Sequence, residues 1–303
     1  MTAFAYHLVD VFTDQRFGGN PLAVFPDAQG IPEPLLQKIA KELNLSETTF
    51  VLPPQDPANT CQVRIFTTNE ELPMAGHPTV GTAYVLVREG LVPAPGIDFE
   101  LHFEEKVGLI PVQVQRTSAG PGRITMQQPL PTFGEPLAQR GELAAVVGLT
   151  AEDLEPELPI QMVSCGVPFT LLPLRSRAIL QRARLRLDLW DRHLAHSPGP
   201  SMLLCTKDPE TPQGTFQVRM FAPNHGVLED PATGGAAGPF GSYVVRHGWL
   251  PAAPETRLVV EQGFGMGRPS FLHVTLNAEG PQAIRRVRVG GDCVGIGRGE
   301  LQL

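Results

Sequence analysis

The chain has 303 residues, which is long for one compact core, and we therefore predict two domains. Apolar residues make up 42% and charged residues 18%, a composition typical of a globular protein without a long disordered region. The net charge of −7 argues against nucleic acid as a partner, because phosphate binding needs a basic surface. No apolar run is long enough to span a membrane, and four scattered cysteines are typical of free thiols in the cytoplasm.

In chain order, segments that are rich in β-branched and aromatic residues, or that alternate in polarity, predict strands. These segments are 8–12, 22–25, 49–52, 64–67, 110–115, 123–127, 169–173, 219–222, 258–260 and 271–276. With 31 Gly and 31 Pro, turns between the strands are frequent.

One pattern occurs twice in the chain. In both copies a short strand enters a polar loop, and a glycine-rich turn then opens a helix of small and apolar residues. The opening glycine, Gly76, has its counterpart 158 residues later (234 − 76) at Gly234. Gly90 and Gly248 follow the two helices, where glycine readily adopts the left-handed conformation that ends a helix. We predict two similar repeats, each a mainly antiparallel sheet with one principal helix.

Each glycine-rich turn stands at a helix N-terminus, where unpaired backbone N–H groups and partial positive charge favour an anion. In one turn alone, the glycines could equally be present only because they let a helix pack closely, without any role in binding an anion. Because the turn is repeated at Gly76 and Gly234, we favour the hypothesis that the two turns bind one small carboxylic acid.

Three ionisable residues lie at or near these turns. Glu47 stands between apolar Leu45 and Phe50, and desolvation there would raise the pKa of its carboxyl group toward the range useful for proton transfer. His77 lies within the first turn and Asp230 just before the second. The residues alone leave other interpretations open: Glu47 could be a surface acid, His77 a structural histidine and Asp230 a turn former.

Several common catalytic motifs are missing from the sequence. It contains no G-x-S-x-G elbow, no H-E-x-x-H zinc motif and no G-x-x-x-x-G-K-[ST] phosphate loop. The sequence therefore gives no support to a serine hydrolase, a zinc peptidase or a nucleoside triphosphatase.

With these residues in view, the sequence resembles the PhzF family of phenazine biosynthesis, whose fold is that of diaminopimelate epimerase. The resemblance extends over nearly the whole chain. It is carried by Asp10-Val-Phe-Thr with Gly19-Asn20-Pro21, Leu45-Ser46-Glu47-Thr48-Thr49-Phe50, Gly76-His77-Pro78-Thr79, Asp230-Pro-Ala-Thr-Gly234 and Glu261-Gln262-Gly263.

The resemblance implies an α+β fold of two pseudo-symmetric domains, each a mainly antiparallel sheet wrapped around a central helix. The expected domains are residues 1–120, joined by a last strand at about 286–303, and residues 121–285, with the active site between them. The family parallel also implies an isomerase without cofactor or metal, acting as a homodimer.

The same resemblance implies the roles of individual residues. Glu47 is expected to be the general acid/base, with His77 and Asp230 in the same pocket. The residues expected to bind the substrate are Asn20, Ser46, Gly76, Gly234 and Gly235.

One position departs from the family pattern. The family usually has Ser after the glycine of the second turn, where this chain has Gly235, and the lost hydroxyl could change the substrate. Two alternative functions follow. One is a two-base amino-acid epimerase or racemase using Glu47 and Asp230, since the thiol pair of such enzymes is absent beside Gly76 and Gly234. The other is a non-catalytic protein that binds a small acid.

Overall fold

The computed structural model describes residues 2–118, 120–251 and 253–303. The helices are α1 (Glu33–Leu43), α2 (Gly76–Arg88), α3 (Arg140–Ala145), α4 (Arg177–Arg182), α5 (Leu187–His193) and α6 (Gly234–Arg246). The strands are β1 (Ala3–Val11), β2 (Asn20–Phe25), β3 (Glu47–Leu52), β4 (Cys61–Phe66), β5 (Glu71–Leu72), β6 (Asp98–Glu105), β7 (Gly108–Thr117), β8 (Gly120–Gln128), β9 (Thr132–Leu137), β10 (Ile160–Ser164), β11 (Pro168–Pro173), β12 (Ser201–Thr206), β13 (Phe216–Ala222), β14 (Val227–Asp230), β15 (Glu255–Gln262), β16 (Ser270–Ala278), β17 (Ile284–Gly291) and β18 (Cys293–Gln302).

The chain forms two compact units. The first contains residues 1–127 together with the C-terminal residues 289–303, and the second contains residues 128–288. The last strand, β18, therefore belongs to the first unit, where it pairs antiparallel with β1.

In the first unit, the sheet mixes antiparallel and parallel pairs. Strand β1 pairs antiparallel with β2, β2 parallel with β3, and β3 antiparallel with β4. Strand β4 then pairs parallel with β6, which pairs antiparallel with β7. Parallel neighbours need a crossover connection, and α1 and α2 provide it for the two parallel pairs.

The second unit repeats this order of strands. Strand β10 pairs antiparallel with β9 and β11, β11 parallel with β12, and β12 antiparallel with β13. Strand β13 pairs parallel with β15, and β15 antiparallel with β16. The repeat predicted from the sequence is therefore a repeat of structure, and the predicted α+β fold is confirmed.

A central helix is buried in each unit. In α2 every residue except the last, Arg88, is buried, and in α6 every residue except the last, Arg246. Both helices have 13 residues and begin at the predicted glycines, and Gly90 and Gly248 after them have φ of 67° and 66°. Helices buried on all sides are apolar all round, which explains the lack of a polar face in either repeat.

Smaller helices form a second core in each unit. In the first unit, Leu36 and Ile39 of α1 pack with the aromatic rings of Phe25 and Phe50, which are stacked with centroids 5.0 Å apart. In the second unit, the residues contributed by α3 and α4 include Leu143 and Leu180. None of the helices in the described ranges has the length and apolar run needed to cross a bilayer.

Candidate active site

The N-terminus of α2 is buried and has no side-chain cap. Ala75 is the N-cap residue in an extended conformation, Gly76 and His77 are the first two helical residues, and all three are buried. Helix geometry leaves the first backbone N–H groups without partners in the helix, and an anion can accept from them. The first repeat therefore has a buried helix N-terminus where the sequence predicts an anion-binding turn, and anion binding there stays a prediction.

Glu47 is placed by the parallel pairing of β2 and β3. It is the first residue of β3 and lies opposite Leu22 of β2. Thr49, two residues further along the same face of the strand, accepts a hydrogen bond of 2.9 Å from the hydroxyl of Thr82 on α2. The side chain of Glu47 therefore points to the face of the sheet that α2 covers.

The structure brings Glu47 and His77 together. Nε2 of His77 lies 3.2 Å from Oε2 of Glu47, and the two side chains are 3% and 14% exposed. Burial lowers the pKa of His77 to about 3. An ionised Glu47 would favour the imidazolium, but desolvation outweighs it, so that His77 is neutral near pH 7. A neutral imidazole can exchange a hydrogen bond with Glu47 in either protonation state of the carboxyl group.

Two further predicted residues lie at the same end of these strands. Asn20 is fully buried at the start of β2, and Ser46 is partly buried immediately before β3. Gly19, before Asn20, has φ of 59°, and a Cβ atom there would lie 2.2 Å from the backbone oxygen of Val11. Only glycine fits this turn, which fixes the position of Asn20.

In the second unit, a hydrogen-bonded turn precedes α6. Asp230 ends β14 and is buried, and its Oδ2 accepts a bond of 2.6 Å from the hydroxyl of Thr233, the N-cap residue of α6. Gln262 of β15 donates to the backbone oxygen of Asp230 at 2.7 Å and accepts from the backbone N–H of Thr233 at 3.0 Å. Three side chains thus hold the start of the second central helix.

Gly234 and Gly235 are the first two residues of α6, and both are buried. Gln128 donates a bond of 2.9 Å to the backbone oxygen of Gly234. Because the two helices begin 158 residues apart (234 − 76), Gly235 occupies the position that His77 has in α2. The second helix N-terminus therefore lacks the imidazole of the first.

Sequence reasoning did not assign a role to Thr233 or Gln262. Gln262 belongs to the Glu261-Gln262-Gly263 motif. Nothing in that motif predicts a hydrogen bond to a turn 29 residues earlier in the chain. The N-cap positions Ala75 and Thr233 carry no thiol, and the cysteines are free and lie elsewhere. In the described part of the chain, no group of three or more His, Cys, Asp or Glu side chains is arranged to bind a metal ion.

Comparison with known proteins agrees with this geometry. The family model described as "Phenazine biosynthesis-like protein" matches residues 9–299. A trans-2,3-dihydro-3-hydroxyanthranilate isomerase of Pseudomonas fluorescens is 34% identical, over 98% of this chain and 99% of the relative. An uncharacterized isomerase of Mesorhizobium japonicum is 35% identical, over 98% of both chains.

Solved structures share the fold. A phenazine biosynthesis protein of the PhzF family from Bacillus anthracis superposes with a TM-score of 0.90 at 28% identity, covering all of both chains. A hydroxyproline epimerase from Agrobacterium vitis has a TM-score of 0.66 at 11% identity, covering 99% of this chain and 92% of that one, which shows likeness of fold alone.

The repeated units, each with a buried helix opening at glycine, define the two-unit fold shared by PhzF proteins and such epimerases. Within this class, the chain belongs to the phenazine biosynthesis-like, or PhzF, family. The predicted family, its fold and its assignment as an isomerase are confirmed.

Proposed function

We propose that this enzyme moves a proton within a small carboxylic acid of the dihydro-hydroxyanthranilate type, without a cofactor, and that Glu47 is the general acid/base. The observation that carries the proposal is the close pair of the partly buried Glu47 and the buried His77 at the N-terminus of α2. The substrate class comes from the relatives named trans-2,3-dihydro-3-hydroxyanthranilate isomerase.

In the first step, the carboxylate of Glu47 removes a proton from a substrate carbon. The electron pair of the broken C–H bond spreads into the π-system of the substrate, so that no external electron sink is required. The protonated Glu47 then returns the proton to another carbon. Atoms and charge balance within one substrate molecule, and the net change is an isomerisation.

The neutral imidazole of His77 supports this exchange because it can donate to the Glu47 carboxylate and accept from the protonated acid. Backbone N–H groups at the start of α2, at Gly76, would bind the substrate carboxylate and oppose the negative charge that builds up. We propose that Asn20 and Ser46, at the same end of β2 and β3, also contact the substrate.

A two-base racemase would need a second base at the start of α6. Asp230 is the candidate, but its carboxylate accepts a bond of 2.6 Å from Thr233 in the turn before the helix. This contact supports a role for Asp230 in ordering the turn and binding substrate, and it favours the single-base mechanism.

The proposal is tested with trans-2,3-dihydro-3-hydroxyanthranilate in deuterated water, following product by absorbance and deuterium by mass spectrometry. Glu47→Gln should lose roughly 10²- to 10⁴-fold in kcat, as expected when a general acid/base is removed. The matched control is Glu42→Gln, which removes an exposed carboxylate of α1 and should leave kcat unchanged. Undiminished turnover or exchange in Glu47→Gln would contradict the assigned role.

The resemblance to the family also supports a cytoplasmic homodimer, which we include in the proposal. Light scattering coupled to gel filtration should give twice the chain mass of 32.8 kDa. A monomer at all protein concentrations would contradict this part of the proposal.

A further inference from the structure

A second buried carboxyl group lies beside the first turn of α2. Glu105 ends β6, and its side chain is almost completely buried. Oε1 of Glu105 lies 2.5 Å from the hydroxyl oxygen of Thr79 in α2, and Oε2 has no hydrogen-bond partner among the described residues. A buried carboxylate without a partner for one oxygen is costly, so its protonation state requires explanation.

The single hydroxyl proton of Thr79 bears on the protonation state of the Glu105 carboxyl group. The hydroxyl oxygen of Thr79 also lies 2.6 Å from the backbone oxygen of Ala75, which can only accept. Thr79 has one proton for these two contacts. When it is donated to Ala75, the short contact with Glu105 takes its proton from the carboxyl group in its acid form. Burial favours the acid form and raises the pKa of Glu105 to about 8, although a hydrogen bond from Thr79 to the carboxylate acts in the opposite direction.

The other unit supports this interpretation. Glu104 lies opposite Gln62 in the parallel pair β4 and β6, and Glu261 lies opposite Gln217 in the corresponding pair β13 and β15. The next residue in the second unit is Gln262, so Gln262 is the counterpart of Glu105. Its amide N–H donates into the turn before α6. When Glu105 is protonated, Glu105 and its counterpart Gln262 are both neutral hydrogen-bond donors.

Among the described residues, no cation contributes to the shifted pKa of Glu105, which arises from burial and from the hydrogen bond with Thr79. The Cys61 thiol on β4 interacts with it electrostatically, and burial raises the pKa of that thiol to about 12. Among its chain neighbours, Glu104 is acidic and Lys106 has an exposed side chain. On α2, His77 faces Glu47 and is neutral near pH 7.

We infer that Glu105 is a positioning residue whose carboxylic acid donates to Thr79, fixes the first turn of α2 and thereby holds His77 against Glu47. The inference deepens the proposed function and rests on it for its effect on catalysis. Ionisation of Glu105 removes the donated hydrogen bond and places an uncompensated charge beside the turn.

The kinetic test compares Glu105→Gln, which keeps a donor but cannot ionise, with Glu105→Leu, which has no donor. At pH 7, Glu105→Gln should retain kcat within roughly threefold, whereas Glu105→Leu should lose roughly 10- to 100-fold with a smaller change in KM, as expected from misplacement of a catalytic group. Wild-type kcat should fall as the pH rises through about 8, and Glu105→Gln should lack this fall. Equal pH profiles for wild type and Glu105→Gln would overturn the inference.

A second measurement does not depend on activity. Because the folded-state pKa of Glu105 is raised above the ordinary value of 4.5, the folded protein holds more protons between these values and its stability should fall as the pH rises from about 4.5 to 8. Over this pH range, the urea midpoint of Glu105→Gln should therefore fall less than the urea midpoint of wild type. If wild type fails to turn over the acid, the proposed function fails while this comparison still tests the state of Glu105. Parallel stability profiles would show that Glu105 is ionised and overturn the inference.

Discussion

Replacement of His77 by glutamine is expected to make the folded protein more resistant to acid. Burial lowers the pKa of His77 from its ordinary value of 6.5 to about 3. Below pH 6.5 the unfolded chain therefore binds a proton at this residue that the folded chain does not bind, and the stability of wild type falls as the pH decreases. Glutamine keeps a polar group opposite Glu47 but has no proton to gain in this range.

The size of the effect follows from the difference between the two pKa values. At about 1.4 kcal/mol per pH unit, wild type should lose roughly 2 kcal/mol relative to His77→Gln between pH 6.5 and pH 5. The full loss would approach roughly 5 kcal/mol near pH 3. Glu105 acts in the opposite direction between pH 4.5 and 8, but it is present in both proteins and cancels in the comparison.

The assay is urea unfolding of wild type and His77→Gln at pH values between 4 and 7.5, with the free energy of unfolding plotted against pH. His196→Gln, which replaces an exposed histidine, controls for the loss of a histidine as such. Parallel curves would mean that folding leaves the pKa of His77 unshifted, and a more acid-sensitive His77→Gln would mean that His77 is protonated in an ion pair with Glu47. Either result refutes the lowered pKa of the buried imidazole.

Two further substitutions test the turns at the site. Gly19→Ala should destabilise the protein by about 3 kcal/mol or more, because the left-handed conformation is strained and the Cβ atom would meet the backbone oxygen of Val11 at 2.2 Å. Gly90→Ala, with similar φ but open space, should cost only about 1 kcal/mol; equal losses in urea unfolding would refute the steric argument. Gly235→Ser restores the usual hydroxyl of the family and should change the ratio of kcat/KM among related acids; an unaltered ratio would show that residue 235 does not contact the substrate.

Much of the fold follows from local signals in the sequence. The central helices begin at Gly76 and Gly234 as predicted, because glycine-rich turns before small apolar residues mark buried helix starts. The amphipathic α1 was not predicted, although Leu36, Ile39 and Ala40 follow helical spacing. Its 11 residues lie between two strand predictions, and Pro34 near its start makes the segment look like a loop.

The site could be predicted only in part. Glu47 and His77 are 30 residues apart (77 − 47), and their contact depends on the parallel pairing of β2 with β3 and the packing of α2 on that sheet. No local pattern encodes such a contact, and the roles came from the family resemblance. Glu105 gave no signal at all, because its character arises from burial and from the second hydrogen bond of Thr79.

The most direct test of the central claim is a crystal structure of the enzyme with a bound carboxylate, such as anthranilate. We predict that the carboxylate accepts hydrogen bonds from the backbone N–H groups at the start of α2, at Gly76 and His77. We further predict that Glu47 lies against a ring carbon of the same molecule, within reach for proton transfer. A carboxylate bound away from the N-terminus of α2, with Glu47 facing no ligand carbon, would contradict the account.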